Sequence, residues 1–236
     1  MGCAHSTPAT NANLFTNWTA TEADNASPCP FLNAIANHGL VPRTGITFDK
    51  LKEALANLQL DERLQKVLTG SIAQELATEV DGVKQLSLSQ LSGHNAIEHD
   101  ASLTRQDAAL GDSVKLDPEL LSALVALSSD GQYLTKAHLG HYRSIREQHS
   151  KTHNSSYTFD SKQQAFAYLE AALLLLILRD STGNIRIDWL KMVFEQEKLP
   201  IELGWELRSI TTEEVLVAMG DLKGEKFEET ILEQLY

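Results

Sequence analysis

Ala165-Phe166-Ala167-Tyr168-Leu169-Glu170-Ala171-Ala172-Leu173-Leu174-Leu175-Leu176-Ile177-Leu178 carries a single charge, Glu170. Ala, Leu and Glu favour helix, and at 3.6 residues per turn this stretch is apolar on every side, so it predicts a buried helix. It is too short for a membrane span, which takes about 20 apolar residues. Asp160 marks its start and Asp180-Ser181-Thr182-Gly183-Asn184 its end. A carboxylate inside such a helix is expected to be desolvated, with its pKa raised unless a partner offsets the burial. That suits a proton shuttle; the other reading is a structural ion pair with a neighbouring base.

Outward from this helix the same period recurs. Phe48, Leu51, Leu55 and Leu58 share helix spacing, as do Leu64, Leu68, Ile72 and Leu76. Asp117-Pro118-Glu119 reads as a cap, a first helical proline and a first-turn acid. That helix should stop at Ser128–Gly131, and Thr135 should cap another running towards Gln148. Ile187–Glu197 and Thr211–Met219 complete the set, and Asn184–Ile187 is the one stretch that reads as extended. No repeat of 20–50 residues and no low-complexity linker divides the chain. The fold class expected is all-α, a single helical domain over 27–236, with 1–26 as a poorly ordered N-terminal extension. Thirty-two acids against twenty bases give a net charge of −12. That balance excludes general nucleic-acid binding, which needs a basic face.

Chemistry concentrates in two further segments. In Ser27-Pro28-Cys29-Pro30-Phe31-Leu32-Asn33-Ala34-Ile35-Ala36-Asn37-His38-Gly39, Pro30 suits the first position of a short helix and Gly39 the residue after its end. Cys29 then caps the helix, where free N–H groups and the dipole favour a thiolate, a soft metal ligand. A small capping residue, or a partner for Cys3, remain as readings of Cys29. In Gly93-His94-Asn95-Ala96-Ile97-Glu98-His99-Asp100-Ala101-Ser102, the adjacent Glu98, His99 and Asp100 point in different directions. Glu98 and Ser102, spaced i, i+4, are able to meet on one hard cation, while Asp100 orients the imidazole of His99. A zinc set of His94, Glu98 and His99, and a plain solvated loop, stay open. An EF-hand at Asp180–Asp188 is excluded because Ile185 stands where the turn needs glycine.

Pro28-Cys29-Pro30 with Ala36-Asn37-His38-Gly39, then Glu98-His99-Asp100 with Ser102, resembles the fungal haem-thiolate peroxidases, the chloroperoxidases and short unspecific peroxygenases. Leu199-Pro200 and Gly204-Trp205 are similar to that family's carboxy-terminal segment. The resemblance implies a chloroperoxidase-like helical domain enclosing haem b, with Cys29 as axial iron ligand. It implies that Glu98, the main-chain carbonyl of His99 and the hydroxyl of Ser102 bind Mg2+ or Mn2+. Glu170 would be the acid–base carboxylate, held by His99 and Asp100. Ile97, Phe166 and Leu173, all apolar, would line the distal pocket. The activity implied is peroxygenase or peroxidase chemistry driven by hydrogen peroxide: oxygen inserted into small hydrophobic substrates, with halides or phenols as further targets. The alternative is a non-catalytic haem-binding or membrane-tethered interaction protein using the Pro-Cys-Pro site.

Compartment is left open by the sequence. Met1–Ala20 shows no secretory signal pattern, although the resembled family is generally secreted. Gly2 and Cys3 fit a dual-acylation start, which would make the protein intracellular; Asn17, Asn25 and Asn154 head glycosylation sequons, which matter only if it is secreted. With no cysteine after Cys29, a monomer or a non-covalent homodimer is expected.

Overall fold

The computed structural model describes residues 15, 17–20, 25–233 and 235. The expectations for Gly2 and Cys3 lie outside the described residues. The order is α1 (Pro30–Asn37), β1 (Ile46–Thr47), α2 (Phe48–Asn57), α3 (Glu62–Leu68), α4 (Ser71–Leu76), β2 (Thr78–Val80) and β3 (Val83–Leu86). A 3-10 turn (Leu88–Ser92) follows, then α5 (Pro118–Val125), β4 (Tyr133–Leu134), α6 (Lys136–His153), α7 (Ser161–Leu178), β5 (Ile185–Arg186) and α8 (Ile187–Gln196). A second 3-10 turn (Ile201–Leu203), α9 (Thr212–Lys223) and α10 (Thr230–Glu233) end the chain. The fold is mainly helical, as the sequence implies. Among the described residues no helix is long and apolar enough to cross a membrane.

Most helix starts lie where capping chemistry puts them. Asp160 accepts from the N–H groups of Lys162 and Gln163, Asp117 from Glu119 and Leu120, and Thr135 from His138. One expected helix is broken: Leu64–Leu76 divides into α3 and α4 because the Thr69 hydroxyl donates back to the Gln65 carbonyl and Gly70 follows in extended conformation.

The short strands differ from the expectation of one extended stretch. β1, β3 and β2 form a three-stranded antiparallel sheet, and β4 pairs with β5. Ile46 faces Leu86 and Leu134 faces Ile185. At four places among the described residues, a bridging Ile or Leu is followed by a helix-start residue and then by a Leu in the next turn. The pairs are Ile46 and Leu51, Leu86 and Leu91, Leu134 and Leu139, Ile185 and Leu190, every one at most 5% exposed. The unit is a structural repeat that the sequence does not announce, because two buried positions and a cap are too few to stand out.

The core centres on α7, which packs chiefly against α9, while α6 lies across α9. At the α6–α9 crossing a Cβ on Gly140 would stand 2.6 Å from the Leu222 carbonyl oxygen, so only glycine fits. On the other side α1 packs on α8. The Leu199 N–H donates to His38 Nε2 (3.2 Å), joining two segments that lie far apart in sequence. Part of the expected N-terminal extension is docked: Phe15 is buried against His38 and Trp205, Trp18 Nε1 donates to the Glu197 carbonyl, and Thr19 N to that of Asn37.

Candidate functional site

Cys29 is the N-cap of α1, and its side chain caps no backbone N–H. Its loop is held tightly. Ser27 Oγ accepts from Cys29 N–H (3.1 Å), while Asn33 Nδ2 donates to the Ser27 carbonyl (2.9 Å) and to Glu197 Oε1 (2.6 Å). Burial raises the thiol to about 11, outweighing the N–H groups of Leu32 and Phe31 that pull it down. The thiolate expected from the cap position alone is therefore not favoured without a further positive charge, such as a metal ion at sulfur. In haem-free protein, thiolate at pH 8 should be about 100-fold scarcer than for a thiol at its ordinary 9.0, so iodoacetamide should label Cys29 correspondingly slowly. Peptide mass mapping reads this directly; labelling at an ordinary rate would overturn it.

Glu170 corrects the sequence expectation. Its side chain is 49% exposed. On α7, Glu170, Leu173, Leu174 and Ile177 fall at i, i+3, i+4 and i+7, a stripe left partly uncovered on an otherwise buried helix. Phe166, one turn earlier, is 8% exposed, and Ile97 is half-buried. The charges of Glu170 and Arg105 both act on the Cys29 thiol, so the carboxylate, the guanidinium and the cysteine lie in one neighbourhood.

His99 joins the two sides. Its Nε2 lies 3.3 Å from Glu170 Oε2, and Nδ1 lies 2.7 Å from the Asp100 main-chain carbonyl. A carbonyl only accepts, so Nδ1 carries a hydrogen. Nε2 is then the nitrogen that faces Oε2, and when protonated it donates to the carboxylate. Burial pulls the imidazole down, but the Glu170 carboxylate outweighs it and the net shift is upward. Asp100 does orient His99, but through its main chain; its carboxylate accepts from Thr158 N–H (3.0 Å) instead.

The oxygens of His99 and Ser102 meet, and Glu98 directly precedes them in the chain. Ser102 Oγ donates to the His99 carbonyl (3.2 Å), and Glu98 Oε2 is paired with His94 Nδ1 (2.7 Å). Glu98 Oε1 is buried with no partner, which an oxygen-seeking cation would satisfy. The zinc set of His94, Glu98 and His99 does not assemble: both His99 nitrogens are committed elsewhere, and among the described residues no three His, Cys, Asp or Glu side chains cluster for a metal.

Sequence reasoning missed the supports of this site. Arg143 Nη1 donates to the Ala101 carbonyl (2.6 Å) and Arg146 Nε to that of Ser102 (2.8 Å). Asp107 accepts from Ala101 N–H and Ser150 Oγ, both at 2.9 Å, and from Asn154 Nδ2 at 3.1 Å. The buried Asn154 amide is thus no glycosylation acceptor in the folded chain. On α6, Leu139, Tyr142, Arg143, Arg146 and Ser150 form the buried face. Two arginines in the apolar phase of a helix were the available signal. Glu197, in the left-handed region (φ 49°), was also missed; its carbonyl accepts from Asn37 Nδ2 (3.1 Å), pinning α8 to α1.

The chain is 28% identical to a chloroperoxidase of Leptoxyphium fumago over 202 residues, 77% of this chain and 54% of that protein. It is 24% identical to an aromatic peroxygenase of Coprinellus radians, covering 75% of this chain and 77% of the relative. With an aromatic peroxygenase of Cyclocybe aegerita it shares 28% identity, over 75% of this chain and 54% of that protein. The chain therefore spans about half the length of two of these three relatives. Residues 16–210, which carry Cys29, the Glu98–Ser102 loop and Glu170, match the family described as "Peroxidase, family 2", and the chain belongs to that family.

Proposed function

We propose that this chain is a hydrogen-peroxide-dependent haem-thiolate peroxygenase or peroxidase acting on small hydrophobic molecules. The observation that carries the reading is a half-exposed carboxylate, Glu170, that lies 3.3 Å from a buried imidazole and close enough to Cys29 for its charge to act on the thiol. The names of the relatives, chloroperoxidase and aromatic peroxygenase, support the same class. The residues would suit haem b: the Cys29 sulfur would hold its iron, and Leu173, Leu174 and Ile177 would offer apolar surface. The orphaned Glu98 Oε1, with the His99 carbonyl and Ser102 Oγ, suits Mg2+ or Mn2+ beside a haem propionate. Haem supplies iron to bind peroxide, and thiolate ligation favours cleavage of its O–O bond.

This chain's own part is proton handling and positioning. Glu170 takes the proton from the near oxygen of hydrogen peroxide and returns it to the leaving oxygen, which departs as water. His99, fixed by the Asp100 carbonyl, holds the carboxylate in one orientation through Oε2. Oε1 has no partner among the described residues and is the oxygen left for peroxide. Ile97, Phe166 and Leu173 give this side an apolar wall, which suits aliphatic and aromatic C–H bonds over charged substrates. The non-catalytic haem-binding reading gives Glu170 and His99 no task.

The decisive experiment is the absorption spectrum of haem-loaded protein, reduced under carbon monoxide. Cysteinate ligation should give a Soret band far to the red of a histidine-ligated one, lost entirely in Cys29→Ala. A band unaffected by that substitution would refute the haem-thiolate reading.

A further inference from the structure

Three arginines are at least 95% buried: Arg105, Arg143 and Arg146. Two have carboxylate partners, Arg143 with Glu147 (3.4 Å) and Arg146 with Asp107 (3.6 Å). Arg105 makes no ion pair among the described residues. Its Nε donates to the Val114 carbonyl (3.3 Å) and Nη1 to Thr104 Oγ1 (2.8 Å), and its guanidinium lies 5.6 Å from the ring centroid of Phe194. Guanidinium has five N–H donors, so most remain unspent. A charge taken out of water without an anion is among the costliest arrangements a protein keeps, and it points to an anion that belongs there.

Where that anion would sit follows from the neighbours. The Arg105 guanidinium lies over Phe194 on α8, the helix packed against α1. The Asn33–Glu197 bond ties the end of α8 to the Cys29 loop, so Arg105 stands on the Cys29 side of the molecule. The charge of Arg105 acts on Cys29, Glu197, Glu170 and Asp112. It follows Glu98 and Ser102 on one loop, itself held by α6 through the Arg146 contact to the Arg105 carbonyl (3.4 Å). Haem b carries two propionates on adjacent pyrroles, at one edge of the ring. The cation proposed at Glu98 and Ser102 accounts for one of them. We infer that Arg105 is the docking group for the second carboxylate of the bound porphyrin, so that one loop grips the whole propionate edge. This inference rests on the haem reading above. Arginine suits the task because its planar fork meets a carboxylate with two parallel N–H bonds, which lysine cannot reproduce.

The test compares haem b with haem b dimethyl ester in the full-length chain, reading the rate of haem transfer to excess apomyoglobin. A lost charge-assisted pair corresponds to about a 10- to 100-fold effect. The unsubstituted chain should release the diester faster than haem b, and in Arg105→Met that ratio should shrink by about 10- to 100-fold, with faster loss of haem b itself. Arg105→Lys should fall between the two, and it decides the matter should the Met variant not fold. A discrimination ratio unchanged by either substitution overturns the Arg105 assignment while leaving the haem reading intact. If the unsubstituted chain shows no Cys29-dependent haem binding at all, the haem reading falls and this inference falls with it.

Discussion

Glu170→Gln should lower peroxide-driven turnover about 10²–10⁴-fold, the range general acid–base catalysis contributes, while haem stays bound. Gln keeps the length and shape of the side chain and still reaches His99 Nε2, but it cannot take a proton. Folding will not confound the comparison, because a side chain that is 49% exposed contributes little burial. The loss should fall on the step that consumes peroxide, with the carbon monoxide spectrum of the reduced protein unchanged. Full turnover by Glu170→Gln, with haem present, would sink the proton-transfer role.

The second large effect is on stability. Asp107→Ala should destabilise the chain by roughly 3–5 kcal/mol, the cost of leaving a buried charge without its partner. Asp107 is fully buried and answers four groups at once: Ala101 N–H, Ser150 Oγ, Asn154 Nδ2 and Arg146. It also holds Ala101 in the left-handed region, at φ 60°, a conformation that costs a non-glycine residue roughly 1–2 kcal/mol. Urea unfolding monitored by circular dichroism gives the number. A loss below about 1 kcal/mol would mean that the loop is held by contacts other than this clamp. Because the same loop carries Glu98, His99, Ser102 and Arg105, the variant should also weaken haem retention.

These supports show where sequence reasoning reached and where it stopped. Cys29 as a helix cap, and the helices started by Asp117, Thr135 and Asp160, are local matters: a cap acts on backbone within three residues of itself. The apolar run of α7 likewise declares a buried helix without any partner being known. Whether Glu170 is inside or outside cannot be read that way. It depends on which neighbours cover each face, and the stripe of α7 that carries Glu170 is left partly open. Strands of two residues are equally silent, since they exist only through partners about 40 to 50 residues away.

The helical class, the positions of Cys29, the Glu98–Ser102 loop and Glu170, and the family they point to were all determined by the sequence itself, because helix periodicity and capping are short-range and the motifs are contiguous. Only the tertiary structure decided that His99 reaches Glu170, that Asp100 steadies it through a carbonyl, and that Arg143, Arg146 and Asp107 clamp the loop between them. It alone also left Arg105 buried without an anion. The contacts of His99 with Glu170 and of Arg143 and Arg146 with the loop join elements about 40 to 70 residues apart in the chain, fixed by packing, hydrogen bonding and desolvation, and no local pattern encodes them.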